Sequence, residues 1–141
     1  QGYSSAASDV YKRQVSEHLD EKTLFITEAA AIVHDIGIRL CLEKYGDGNG
    51  KLQEKEGPAL AEQMLSELGF EKDVIERVSF LVGHHHTYTG IDGLDYQILV
   101  EADFLVNLFE GNTDTAHIRT TYDNIFRTET GKKICREMFG L

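Results

Sequence analysis

Between Leu24 and Phe109 the apolar residues recur at spacings of three and four, and nowhere do Val, Ile and Thr gather into an alternating run. Spacings of three and four put side chains on one face of a helix, whereas a half-buried strand needs a period of two. Leu60, Ala61, Met64, Leu65 and Leu68 make one such stripe, and Val74, Val78, Leu81 and His85 make a second. Ile98, Ala102, Leu105 and Phe109 make a third. Two shorter amphipathic segments, 115–126 and 130–139, close the chain. The expected fold class is all-α, a compact orthogonal bundle of about six to seven helices.

Punctuation residues divide the helices. Asp20 is placed to cap a helix through Leu24, Phe25, Ala29, Ile32, Val33 and Ile36, whose apolar residues cover most of its circumference and predict a central position. Gly37 interrupts it, and residues 38–45 continue as a second helical segment. Gly46-Asp47-Gly48-Asn49-Gly50 reads as a loop, without the Gly-Lys-Ser/Thr ending or preceding strand of a phosphate-cradling P-loop. Pro58 fits the first turn of the next helix, and Gly69 its end. A further helix starts near Asp73, residues 87–95 form a loop, and residues 96–110 form the last strong helix. Residues 1–14 are small and polar with no apolar period, and read as a non-native leader. A single domain over 15–141, truncated at its N-terminus, is expected after it.

Composition sets limits on partners. The 141 residues suffice for one domain with a core, and a net charge of -10 argues against a nucleic-acid footprint, which needs clustered Lys and Arg. No apolar run approaches the ~20 residues that span a bilayer. Cys41 and Cys135 form no CxxC pair and read as free thiols in a reducing cytoplasm.

Three stretches hold the candidate chemistry. His34-Asp35 ends an apolar run just before Gly37, His84-His85-His86 follows the second stripe, and Glu101-Ala102-Asp103 interrupts the third. His85 continues its stripe and is expected to point inward, with His84 and His86 flanking that direction. Asp103 sits within an apolar face, with Asn107 four residues on. A buried carboxylate without a partner costs several kcal/mol. Each has a plain structural alternative: Asp103 paired with Arg39 or Arg77, His34 hydrogen-bonded in a core with Asp35 as a cap, and the three histidines as a solvated helix end. Imidazoles and carboxylates converging from different helices on one divalent ion would satisfy all of them together.

The order of a His-Asp doublet, a histidine cluster about fifty residues on and an Asp on a later helix resembles the HD-domain metal-dependent phosphohydrolases. The local text Ala29-Ala30-Ala31-Ile32-Val33-His34-Asp35-Ile36-Gly37 is similar to that family's doublet-bearing helix, and the resemblance runs from about Leu24 to Phe109. It implies an HD-type helical bundle with His34, Asp35 and Asp103 as ligands of a divalent metal, and His84, His85 or His86 at the position where two-metal members use further histidines. Asp35 could also bridge two metals or orient the attacking water, His84, His85 or His86 could complete the metal shell or protonate the leaving oxygen, and Arg39 or Lys51 could contact phosphate, with Arg39 equally readable as an exposed helix charge; Asp35, His85 and Arg39 are the candidate catalytic residues. Two departures stand out. The family's upstream His maps into the leader, which has none, and His18 is a poor substitute sixteen residues before the doublet. The two-metal family's intervening His maps to the stretch Gln53-Glu54-Lys55-Glu56-Gly57, where Gln53 is a poor ligand and Glu54 or Glu56 could serve, though both read first as solvated helix-start charges.

The expected activity is hydrolysis of a phosphoester of a small molecule such as a nucleotide, supported by Mn, Fe, Co, Ni, Zn or Mg, in the cytoplasm. The alternatives are a catalytically weak or inactive HD-like module that binds a nucleotide or protein partner, and a purely structural bundle.

Overall fold

A computed structural model describes residues 19–141, and the leader, Val15 and His18 lie outside the described residues. The described chain is all helical, with seven helices and no strand among the described residues. They are α1 (Glu21–Val33), α2 (Ile38–Tyr45), α3 (Gly50–Glu67), α4 (Lys72–Val82), α5 (Leu94–Glu110), α6 (Thr115–Ile125) and α7 (Glu129–Phe139). They fall into two compact units, one running from Phe25 to Thr89 and the other comprising Gly90 to Leu141 with the described residues up to Leu24. No helix among the described residues is long and apolar enough to cross a membrane.

Local chemistry explains most boundaries. Asp20 Oδ1 accepts from the Thr23 N–H at 2.8 Å and Oδ2 from the Thr23 hydroxyl at 2.9 Å, the expected cap on α1. These bonds hold the Asp20 carboxyl below its usual range. Helix α1 is not central, however. Ile32 is 83% exposed, and Phe25 is half-exposed although its ring stacks on that of Phe70 at 5.5 Å. Helix α3 starts eight residues before Pro58, where the Asn49 side chain accepts from the Leu52 N–H at 3.1 Å. Pro58 therefore lies inside the helix, a correction to the first-turn expectation, and its missing N–H leaves the Glu54 carbonyl without its intrahelical donor. The end near Gly69 is as expected. Gly69 has φ +80°, and the Phe70 N–H reaches the Leu65 carbonyl at 3.0 Å, closing a glycine cap. Phe109 leaves its predicted stripe and lies exposed in the last turn of α5.

In the unit from Gly90 onward, Leu105, Leu108, Ile118, Phe126, Ile134 and Cys135 form the core between α5, α6 and α7. The corner between α6 and α7 is tied to α5 by Glu101. Its buried carboxylate accepts from the Arg127 N–H at 3.0 Å, the Thr128 N–H at 3.1 Å and the Thr128 hydroxyl at 2.7 Å, and from the Gln97 amide. Glu101 is thus a structural acceptor, with its oxygens committed to backbone, hydroxyl and amide donors.

In the unit from Phe25 to Thr89, helices α3 and α4 pack along one another, and α2 lies against α3. Two glycines let the chain approach closely. A methyl on Gly37 would stand 3.1 Å from the Gly57 nitrogen and 3.2 Å from its Cα, and one on Gly57 would stand 2.7 Å from Val82 Cγ1. The turn after α1 therefore rests on the backbone of α3, and α3 rests at the same level on the end of α4. That contact line places the two histidine-bearing turns.

Candidate metal centre

Neighbours on a helix diverge by about 100°, so His34 and Asp35 could not face one point inside α1. The helix stops at Val33. Residues 34–37 form a turn, with the Ile36 N–H on the Val33 carbonyl at 3.0 Å and the Ile38 N–H on the Asp35 carbonyl at 3.1 Å. In that turn the two side chains come together, with His34 Nε2 3.2 Å from Asp35 Oδ2. Helix α4 ends the same way at Val82, and His84, His85 and His86 occupy the turn beyond it. His85 is 0% exposed and brings its Nε2 to 4.0 Å from Asp35 Oδ1. The two imidazole rings meet edge to face, with centroids 5.4 Å apart.

The protonation of these rings follows from their second nitrogens. His34 Nδ1 lies 2.7 Å from the Ala31 carbonyl and His85 Nδ1 2.7 Å from the Val82 carbonyl. A carbonyl only accepts, so each Nδ1 carries its proton and donates. In the neutral rings both Nε2 lone pairs then face the Asp35 carboxylate. Lone pair against carboxylate is repulsive, and positive charge relieves it, either as a second ring proton or as a bound cation. Imidazoles oriented by an Nδ1–H to a main-chain carbonyl, with Nε2 presented to an acidic group, are the donor arrangement that divalent first-row metals take. Asp35 is 24% exposed and forms the open side of the group.

Among the described residues no group of three or more His, Cys, Asp or Glu side chains closes into a cluster that could hold a metal. The fit of a cation to His34, Asp35 and His85 is therefore one of donor chemistry, with 4.0 Å on the His85 side too long for a closed cage.

The other candidates have the following surroundings. His84 donates Nδ1–H to the Phe80 carbonyl at 2.7 Å and stacks on the Phe80 ring at 4.0 Å. His86 Nε2 lies 3.3 Å from Gln53 Oε1, and its ring centroid is 4.0 Å from that of His85. Arg39 is 91% exposed on α2, with Nε 3.1 Å from Glu43 Oε1. Asp103 is buried in α5, in the unit that begins at Gly90.

Three residues read as solvated charges or a poor ligand have other roles. Glu54 is nearly buried, and its Oε2 accepts from the His86 N–H at 3.1 Å and the Thr87 hydroxyl at 2.8 Å, while Oε1 meets Lys51 Nζ at 3.0 Å. Burial alone would raise its carboxyl, but these bonds outweigh it and hold Glu54 below the usual range. Gln53 donates to the Gly48 carbonyl at 2.6 Å while its oxygen faces His86. Glu56 pairs with Lys44 at 3.0 Å. Nothing in the one-dimensional pattern marks Glu54 as a holder of the histidine turn, because the His86 N–H and the Thr87 hydroxyl lie more than thirty residues on.

Comparison with protein-family models, with curated proteins and with solved structures returns no match for the chain. The resemblance to HD-domain phosphohydrolases rests on the motif residues alone.

Proposed function

We propose that this chain is a metal-dependent phosphohydrolase of HD-domain type, acting on a phosphoester of a small molecule such as a nucleotide, with His34, Asp35 and His85 as its central ligands. The supporting observation is the pair of imidazoles whose Nδ1–H groups are committed to carbonyls and whose Nε2 atoms turn toward one carboxylate. A divalent cation bound there would polarise a phosphoryl oxygen and lower the pKa of a water. Asp35, at the open side, would accept a proton from an attacking water, and His85 keeps its orientation through the Val82 carbonyl. The resemblance further assigns Asp103 to the ligand set and Arg39 to phosphate, with His84 and His86 as additional donors. Arg39 would have to leave Glu43 to serve.

One observation favours a second reading, a module that binds a nucleotide or protein partner without turnover. Gln53 stands where two-metal family members carry a histidine, and both ends of its amide are engaged, by Gly48 and His86.

Elemental analysis of the purified full chain, and phosphate release from nitrophenyl phosphate and nucleotides with Mn, Co, Ni or Mg, test both. Turnover that His85→Ala and Asp35→Asn abolish supports the enzyme. Metal uptake or nucleotide-induced thermal stabilisation without product supports the module. Neither metal uptake nor nucleotide-induced stabilisation, with His34→Ala and Asp103→Ala indistinguishable from the parent, overturns both in favour of a structural bundle.

A further inference from the structure

We infer that Glu54 is a positioning residue for the histidine turn, fixing where His85 stands through the main chain that follows it. The inference builds on the reading of His34, Asp35 and His85 as a metal centre. His85 is gripped at two places. Its ring is held by the Val82 carbonyl, and the chain just beyond it is held by Glu54, which takes the His86 N–H and the Thr87 hydroxyl on one oxygen. Lys51 closes the clip from the same turn of α3, reaching Glu54 Oε1 at 3.0 Å, Thr87 Oγ1 at 3.0 Å and the His86 carbonyl at 3.5 Å. A carboxylate 9% exposed is costly to bury, and here its bonds span from α3 to the turn after α4. Asn49 and Gly50 start α3 one turn before Glu54, and a methyl on Gly50 would come within 2.6 Å of His86 Cγ. The start of α3 is therefore shaped around the histidine turn.

The two carboxylate oxygens have separable duties. Oε2 holds the turn and Oε1 holds Lys51. A glutamine can keep its carbonyl on the Oε2 side and present its amide toward Lys51, which retains Thr87 and the His86 carbonyl as acceptors. Glu54→Gln is thus expected to preserve the position of the turn, and Glu54→Ala to lose it.

The test uses long-range 1H–15N spectra of the histidine rings in the metal-free full chain, with Zn2+ and Co2+ titrations beside them. In the parent, His34 and His85 give the Nδ1–H tautomer. Glu54→Ala is expected to average the His85 and His86 signals, leave His34 unchanged and weaken metal binding by about tenfold or more, the range seen when supporting hydrogen bonds around metal ligands are removed. Glu54→Gln restores the parental His85 signal. Should Glu54→Ala fail to fold, Thr87→Val removes one Oε2 bond and must show the same His85 change in smaller degree. An unchanged His85 signal in a folded Glu54→Ala chain overturns the inference, as does a Glu54→Gln chain that behaves like the alanine variant. A parent that binds neither metal sinks the metal reading while leaving the ring signals to decide the role of Glu54.

Discussion

The contact between Gly57 and Val82 can be tested by a double-mutant cycle. In Gly57→Ala the new methyl would lie 2.7 Å from Val82 Cγ1, well inside the ~3.5–4.0 Å at which two carbons attract. Val82 is fully buried and has nowhere to swing, so the helices must part, at a typical overpacking cost of ~1–3 kcal/mol. Replacing a helical glycine by alanine returns about 1 kcal/mol, which leaves a net loss of about 1 kcal/mol. Val82→Ala alone removes two buried methyls and leaves a void, for a loss of about 2 kcal/mol. In the double variant the methyl introduced at position 57 enters the space that Val82 vacates. That variant should be no less stable than Val82→Ala alone, a favourable coupling of about 1–2 kcal/mol. Urea unfolding followed by circular dichroism measures all four corners. The same cycle reads the candidate centre, because Val82 supplies the carbonyl that orients His85. Gly57→Ala is expected to weaken metal binding and the double variant to recover part of it. Stabilities that add within ~0.5 kcal/mol would show that the two atoms do not meet, and the account of how the turns are placed would fail with them.

Two further outcomes concern the unit from Gly90 onward. Glu101→Ala strands two backbone N–H groups and a hydroxyl in a buried corner and should cost ~3–5 kcal/mol, whereas Glu101→Gln keeps a carbonyl for both N–H groups and the Gln97 amide and donates to Thr128 Oγ1, costing about 1 kcal/mol in chemical unfolding. Burial and, secondarily, the Glu101 charge push the Cys135 thiol from 9.0 up to about 11. A group whose folded pKa is raised contributes stability that is whole below the unfolded value and is lost as pH rises toward the folded one. Unfolding free energy should therefore fall between about pH 9 and pH 11, and Cys135→Ala should flatten that slope in a pH series of urea melts.

Helix number and type were legible because each stripe is long and strictly spaced, and the ends were legible where one residue decides them. Asp20 caps with its own carboxylate, and Gly69 ends α3 with a positive φ. Pro58 misled because proline tolerates both a first turn and an interior position whose i−4 carbonyl can go without its donor, and the stronger start signal, Asn49, lay inside a stretch that reads as loop. The exposure of Ile32 and Phe109 was hidden for another reason. A stripe states which face is apolar, while burial requires a neighbour at that level of the helix.

The candidate centre divides along the same physical line. His85 could be placed inward because it extends a periodic stripe, and periodicity is a property of one element. That His34 and Asp35 reach the same point depends on α1 stopping at Val33, one residue before the doublet, and on Gly37 bringing the turn against Gly57. These are contacts between elements, and neither partner is unusual by itself. Glu54 is the clearest case. On its own helix it resembles any charge near an N-terminus, and only the His86 N–H and the Thr87 hydroxyl beside it reveal a carboxylate that holds the histidine turn. The candidate ligand types are written in the chain, and their aim is set by residues that carry no chemistry of their own at the candidate centre. Gly57 and Glu54 are therefore more informative positions to perturb than another histidine. Each changes the approach of His85 to Asp35 while leaving every donor in place.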